Sequence, residues 1–259
     1  SSSEAKQWIE VNSSDIKKSS FTHQSNGLSS TEISFELSGY FLETSKNGLM
    51  ITAPGGVSML KKGAPDLPVF TTSIQIPDLA KMQLEVISSE YIDVRVENVI
   101  PSRGNITRDI NISLVPFKKG LAYDKNSFYP DNIAFLRSPY IIRTKRGQTV
   151  VFQPFQYNPT DGILRVHTNI TISVKADGIS TDNPLVRLPS KNRGMREMEE
   201  IYNRHFLNNV PTNDRYTPLD ENGAMLIICY GPFMDAMQPF IDWKIKKGMH
   251  VELYNVDDI

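Results

Sequence analysis

Apolar and polar residues alternate along much of the chain between residues 33 and 174. The alternation is clearest in four segments: Ile33–Leu37, Met82–Ile87, Tyr91–Val96 and Leu164–Ile172. A period of two places one face of a strand on a core and the other face in water. Turn signals separate the segments, at Asn47-Gly48, Pro54-Gly55-Gly56, Arg146-Gly147 and Asp161-Gly162. This spacing predicts a mainly β protein, with a β-sandwich or jelly-roll-like domain over residues 1–175.

The pattern changes after residue 175. Residues 176–190 are rich in Gly, Ser, Asp and Asn and contain two prolines, which is typical of a linker. Apolar or aromatic residues then recur at helical spacing, at Met195, Met198, Ile201 (or Tyr202) and His205. Residues 176–215 are therefore predicted to form a linker, a packed helix and a junction.

The last segment, residues 216–259, has the order strand, helix, strand. Met225–Tyr230 is an apolar strand, and Asp235–Lys247 is a helix with its apolar residues on one face. Gly248 ends that helix and His250–Tyr254 forms the second strand. The crossover rule makes the two strands parallel, and parallel strands need cover on both faces. We therefore expect this segment to begin a larger α/β domain.

Composition and charge exclude several classes of protein. The net charge of −1 gives no reason to expect nucleic acid or an anionic membrane as a partner. No apolar run approaches the roughly 20 residues of a membrane span. The first residues are polar, so we expect that any export signal has been removed or was never present.

The chain shows no arrangement of residues that would catalyse a reaction. One cysteine, Cys229, excludes an internal disulfide and lies in an apolar strand, where a thiol is usually a small buried hydrophobe. The four histidines have no recognisable relation to a nucleophile. No carboxylate cluster has the spacing of a calcium loop, and no cofactor motif is present. We predict no catalytic residue, metal site or cofactor in this chain.

The junction at Asp214–Leu219 resembles a processing site. Arg215 is a lone basic residue between Pro211 and Pro218, and Tyr216 follows it. The prolines disfavour helix on both sides, and proteases bind extended, exposed segments. An ordinary interdomain linker that happens to contain an arginine is the alternative.

Several segments in the same order resemble the gingipain family of bacterial cysteine proteases, and specifically its arginine-specific members. They are Lys62–Pro68, Ile100–Gly104, Phe128–Pro130, Arg143–Gln148, Gln156–Pro159, Arg215–Pro218, Phe240–Lys244 with Gly248, and Val256–Ile259. The resemblance implies that residues 1–215 are the prodomain of a secreted zymogen. It implies that residues 216–259 begin a caspase-like catalytic domain, whose histidine and cysteine lie beyond Ile259. Whether calcium supports the complete catalytic domain stays open.

The resemblance also implies an inhibitory residue. In this family a prodomain loop carries a basic residue into the specificity pocket, and the matching position is Arg108, between Thr107 and Asp109. Gly104 and Asn105 favour a turn that would hold these residues away from the sheet. Arg103 is the nearby rival. We therefore expect two arginines with different fates, since Arg108 would inhibit and Arg215 would be cut.

Two other functions compete with this one. The chain is alternatively a non-catalytic β-sandwich module from a surface or adhesin protein. A third hypothesis is the prodomain of a sortase-like relative that serves a secretion system and need not keep a basic residue at position 108. If the chain is the prodomain of a gingipain-like protease or of a sortase-like relative, its partner is the rest of the protease domain. The prodomain would then also assist the folding of that domain by covering its exposed edges.

Overall fold

The computed structural model describes residues 6–187, 196–211 and 223–259. These residues fall into two compact units. Residues 6–187 with 201–211 form the first, which we call the β unit. Residues 196–200 with 223–259 belong to the second, which we call the α/β unit.

Strands make up most of the described β unit. In chain order they are β1 (Lys6–Glu10), β2 (Ser20–Asn26), β3 (Ser30–Glu36), β4 (Gly39–Ser45), β5 (Gly48–Thr52), β6 (Val57–Ser58), β7 (Pro68–Gln75), β8 (Ala80–Arg95), β9 (Ala134–Leu136), β10 (Tyr140–Ile142), β11 (Lys145–Phe152), β12 (Phe155–Asn158) and β13 (Ile163–Ile179). Short 3-10 turns occupy Ile112–Leu114 and Leu121–Asp124. The prediction of a mainly β protein is confirmed.

The strands pair antiparallel into three sheets. The first has the order β1-β4-β5, and the second has the order β10-β11-β7-β6 with β9 also paired to β11. The third has the order β12-β13-β3-β2, with β8 also paired along β13. Neighbouring strands in space are often distant in sequence, so residues far apart along the chain meet at one site.

Aromatic side chains join the sheets across a shared core. The ring of Phe35 on β3 lies 4.9 Å from that of Phe70 on β7 and 5.5 Å from that of Phe152 on β11, measured between ring centroids. Tyr40 on β4 packs edge-on against Phe155 on β12 at 5.3 Å. Such pairs add about 0.5–1.5 kcal/mol each beyond burial of their area. Side chains of the second and third sheets therefore share one hydrophobic core.

Two of the predicted strands are one strand. Met82–Ile87 and Tyr91–Val96 were expected as separate strands, but β8 runs without interruption through both. The alternation is interrupted between them by Ser88, Ser89 and Glu90, and the register against β13 shifts on both sides of these residues, which marks an irregular, bulged region. The partner strand β13 also continues to Ile179, so the linker predicted from residue 176 starts only after this strand.

The turn predicted at Arg146-Gly147 is wrong. Both residues lie inside β11, and the chain reverses just before it, where Arg143 has a positive φ of 50°. Position 147 requires a glycine because the rings of Phe206 and Tyr140 pack against it. A Cβ at this position would lie 2.4 Å from a ring carbon of Phe206 and 2.9 Å from the Tyr140 ring. A glycine required for close packing looks the same in sequence as a turn glycine.

The predicted helix after the linker is present as α1 (Arg196–His205). Tyr202 is its buried residue and Ile201 is half exposed. The Tyr202 hydroxyl donates to the carbonyl oxygen of Ile142 at 3.3 Å and lies 3.0 Å from the Thr144 hydroxyl. Of the two residues that the helical spacing allowed, Tyr202 therefore attaches the helix to the β unit. Met195 lies outside the described residues.

The α/β unit has the predicted order of elements. β14 (Met225–Cys229) pairs parallel with β15 (Val251–Asn255), and α2 (Met234–Lys246) connects them. Ile241 of α2 is buried. Cys229 is partly exposed, in contrast to the buried thiol that its apolar strand predicted. Among the described residues, no helix is long and apolar enough to cross a membrane.

Candidate functional site

The loop predicted to carry the inhibitory residue is anchored to the β unit at its base. Ile100 N donates to the carbonyl oxygen of Leu49 at 2.9 Å, and Ser102 exchanges backbone hydrogen bonds of 2.8 Å with Gly63 and Ala64. Gly104 has a positive φ of 84°, which favours glycine. The turn that Gly104 and Asn105 predicted is not at these two residues, since the chain turns at Thr107–Ile110 instead.

Arg108 lies at the tip of this loop. Ile110 N donates to the carbonyl oxygen of Thr107 at 3.1 Å, which closes a β-turn with Arg108 and Asp109 at its two central positions. The Arg108 side chain is exposed. Within the described part of the chain it makes no hydrogen bond or ion pair. The structure thus presents a guanidinium to solvent without a partner of its own.

Asp109 is adjacent to Arg108 but its carboxylate is directed elsewhere. The Thr107 side chain hydrogen-bonds this carboxylate and, together with backbone N–H, lowers the pKa of Asp109. Thr107 and Asp109 therefore stabilise the turn, and they leave the guanidinium of Arg108 available.

Arg103 has a different environment. It is partly buried, and its Nη1 donates to the carbonyl oxygen of Ile112 at 2.8 Å. Its guanidinium also lies 4.5 Å from the centroid of the Phe117 ring. These contacts bridge the two ends of the loop. Arg103 is engaged inside the loop, whereas Arg108 is presented by it.

The predicted cleavage site, Arg215 with Tyr216, lies outside the described residues. The segment just before it, Phe206–Val210, is fixed to the β unit beside β7. Leu207 N donates to the carbonyl oxygen of Ser73 at 2.8 Å. The buried side chain of Asn208 accepts from Gln75 N at 2.7 Å and donates to the Gln75 carbonyl oxygen at 3.0 Å. Asn208 thereby satisfies both backbone groups of Gln75 like a neighbouring strand.

Lys145 and Arg146 fix the chain on both sides of α1. The ammonium of buried Lys145 donates to Asn209 Oδ1 at 2.7 Å and to the Val210 carbonyl oxygen at 3.0 Å. The fully buried Arg146 donates to four carbonyl oxygens at 2.6–3.0 Å, those of Pro77, Ala80, Asp182 and Asn183. A Lys-Arg pair usually indicates an exposed site, so sequence reasoning missed this role.

His167 forms a buried hydrogen-bonded chain. Gln156 Nε2 donates to the carbonyl oxygen of Pro130 at 2.7 Å, so Gln156 Oε1 accepts from His167 Nε2 at 2.8 Å. The Ser89 hydroxyl then donates to His167 Nδ1 at 2.6 Å. Burial, assisted by the nearby charge of Arg165, lowers the pKa of His167 to about 4. The histidine is neutral and structural.

No group of three or more metal-ligating side chains occurs among residues 6–187, 196–211 and 223–259. The described residues instead present an exposed arginine, Arg108, in a turn and an anchored segment, Phe206–Val210.

A family model, Propeptide_C25, matches residues 22–206. The match includes most of β2, all of β3 to β13, the Arg108 turn and the whole of α1, and it leaves out β1. The chain belongs to the C25 propeptide family. Its similarity to curated proteins includes 36% identity over 206 residues with gingipain R1 of Porphyromonas gingivalis, which covers 79% of this chain and 20% of the relative. Gingipain R2 of the same species is 34% identical over 221 residues, covering 84% of this chain and 30% of the relative. The propeptide chain thus spans a third or less of these relatives.

Solved structures give the same family. A complex of the RgpB pro- and mature domains of Porphyromonas gingivalis matches with a TM-score of 0.63 and 30% identity, covering 73% of this chain and 95% of that chain. A structure of gingipain K described as giving insight into zymogenic latency matches with a TM-score of 0.56 and 20% identity, which supports the propeptide fold alone. The predicted gingipain-type prodomain is confirmed.

Proposed function

We propose that the β unit is the inhibitory prodomain of a secreted, gingipain-like, arginine-specific cysteine protease. Arg108 enters the specificity pocket of the catalytic domain and blocks it, and cleavage after Arg215 begins activation. One observation carries the proposal: the Arg108 guanidinium is exposed and unpaired in a turn of a loop whose base is hydrogen-bonded to the rest of the β unit. A carboxylate in the pocket would pair with it by charge-assisted hydrogen bonds.

The turn also explains how an arginine can occupy the pocket without being a good substrate. Proteases bind their substrates as extended strands. The hydrogen bond between Ile110 N and the Thr107 carbonyl oxygen holds Arg108 in a turn instead. The carbonyl carbon of Arg108 is therefore held away from the geometry that attack requires. Arg215 stands between two prolines in a segment that we propose to be extended and cleavable.

Residues 223–259 support a continuing catalytic domain. On β14, Leu226 and Ile228 are more than half exposed, and on α2 Trp243 and Ile245 are about half exposed. A parallel strand pair is stable only when both of its faces are covered. We assign this segment to the start of the caspase-like domain, whose remaining elements would cover these side chains. The prodomain would assist its folding by docking on it.

The test is inhibition of the separately expressed cognate catalytic domain by the 259-residue chain. Arg215→Gln is introduced throughout, so that the chain stays uncleaved at the junction. We expect tight inhibition that weakens tenfold or more with Arg108→Ala, which corresponds to about 1.4 kcal/mol per decade. Inhibition that is indifferent to Arg108→Ala would keep the prodomain and remove the role of Arg108. No inhibition would favour the binding-module alternative.

A further inference from the structure

We propose that Ile110, Ile112 and Leu114 form an apolar docking platform for the catalytic domain, beside the pocket that receives Arg108. We call these three side chains the platform. The inference rests on the proposed function and deepens it, because it assigns a second, apolar part to the inhibitory contact.

Exposure of the platform is the first observation. Ile110, Ile112 and Leu114 are 48%, 53% and 78% exposed within five residues of chain. Single exposed aliphatic residues are ordinary, whereas three within five residues of one loop are what an apolar contact with a partner would use. Leu121, in the next 3-10 turn, is 80% exposed. The sequence around the Arg108 turn therefore places apolar side chains in water, where they gain nothing from the fold.

Hydrogen bonds within the loop hold the backbone of the platform in one conformation. Asn111 Oδ1 accepts hydrogen bonds from Ser113 N at 3.0 Å and from the Ser113 hydroxyl at 2.7 Å. Leu114 N donates to the Asn111 carbonyl oxygen at 3.0 Å, and Arg103 holds the Ile112 carbonyl oxygen. A preorganised surface loses less conformational entropy when it binds. The exposure of these side chains is thus a fixed feature of the loop.

The catalytic domain is the occupant that fits. Ile110 is two residues from Arg108, so their Cα atoms lie within about 7 Å of each other. A protein that takes the Arg108 side chain into a pocket must therefore cover Ile110. Residues 101–125 contain five basic and two acidic residues, whereas the whole chain has a net charge of −1. This locally cationic, apolar surface complements an acidic pocket with an apolar rim.

The experiment measures binding of the 259-residue chain to the cognate catalytic domain, again with Arg215→Gln. The test variant is the double substitution Ile112→Ala and Leu114→Ala. The matched control is Ile179→Ala, whose side chain is 81% exposed. Ile179 ends the 17-residue strand β13. It is therefore about 50 Å along that strand from Ile163, which pairs with Arg95 just before the loop. Thermal unfolding confirms that each variant is folded.

We expect the double variant to weaken binding by tenfold or more, mainly through faster dissociation, and Ile179→Ala to leave Kd unchanged. The loss should persist at about 1 M salt, because an apolar contact is not screened. A double variant that binds like the control, while Arg108→Ala still weakens binding, would overturn the platform and leave the proposed function standing. Failure of the unsubstituted chain to bind would overturn both.

Two further measurements separate the catalytic domain from other occupants. Sedimentation of the chain alone should show a monomer. A dimer that Leu114→Asp dissociates would assign the platform to a second copy and overturn the proposal. Flotation with vesicles containing anionic lipid should show no binding. Vesicle binding that the double variant abolishes would likewise overturn it in favour of a membrane contact.

Discussion

Arg103 makes contacts within the same loop that exposes Arg108 at its turn. Its Nη1 donates to the carbonyl oxygen of Ile112 at 2.8 Å, and its guanidinium lies against the Phe117 ring. The two arginines are five residues apart. Arg103 helps to hold the loop in shape, whereas Arg108 is exposed at its turn. This relationship separates the two candidates by role, because a guanidinium engaged in its own loop is a poor ligand for a distant pocket.

Arg103→Ala should weaken inhibition of the cognate catalytic domain about three- to tenfold, since the loop loses one hydrogen bond to a charged group. The measurement is the inhibition constant. In an Arg108→Ala background the same substitution should change inhibition by less than twofold, because Arg103 acts through the position of Arg108. Fully additive losses would show instead that Arg103 makes a contact of its own.

Arg108→Lys should weaken inhibition tenfold or more although the charge is kept. An ammonium cannot reproduce the planar, bidentate contact of a guanidinium with a carboxylate. The control is Lys118→Ala, which removes one exposed positive charge from the same region and should change the inhibition constant by less than threefold. A loss with Lys118→Ala but none with Arg108→Lys would mean that net charge, and not the guanidinium, governs inhibition.

Asn208→Ala should destabilise the β unit by about 2–4 kcal/mol. The substitution leaves the buried N–H and C=O groups of Gln75 without their partner and removes a third hydrogen bond, to the Thr31 hydroxyl at 3.0 Å. The free energy of unfolding is measured in urea. Asn132→Ala is the control, because Asn132 is exposed and should change stability by less than about 0.5 kcal/mol. Equal stability of the two variants would contradict the anchoring of Phe206–Val210.

The alternation of apolar residues was sufficient to predict β3, most of β8 and β13, and helical spacing predicted α1 and α2. These patterns failed to predict the role of residues whose contacts lie far away in the sequence. Gly147 makes room for Phe206, and Lys145 holds Val210. Both partners come from a segment about 60 residues further along the chain, and no local pattern encodes such a pairing.

The same limit applies to the candidate site. Gly104 and Asn105 predicted a turn a few residues before the observed one, and the family resemblance pointed to Arg108. Sequence could not show that Arg103 is engaged within the loop while Arg108 is exposed, because this difference depends on the Ile112 carbonyl oxygen and the Phe117 ring. Their positions relative to Arg103 exist only once the loop has folded.

Acid should destabilise the β unit through His167. Its pKa is about 4 when folded, against the ordinary 6.5, because burial disfavours the charged form. A depressed histidine pKa means that the folded state prefers the neutral form. The stability that depends on neutral His167 is therefore complete above pH 6.5, and it is lost as the pH falls from 6.5 towards 4. Arg165 opposes protonation and Asp93 favours it.

The check is the free energy of unfolding in urea between pH 7 and pH 4.5. In His167→Gln the slope of stability against pH should be shallower than in the unsubstituted chain, because one proton-binding group has been removed. His23→Gln is the control, since His23 is exposed on β2, and it should retain the original slope. The comparison rests on slopes, so it remains valid if His167→Gln also lowers stability at pH 7. An unchanged slope in His167→Gln would show that other groups cause the acid sensitivity.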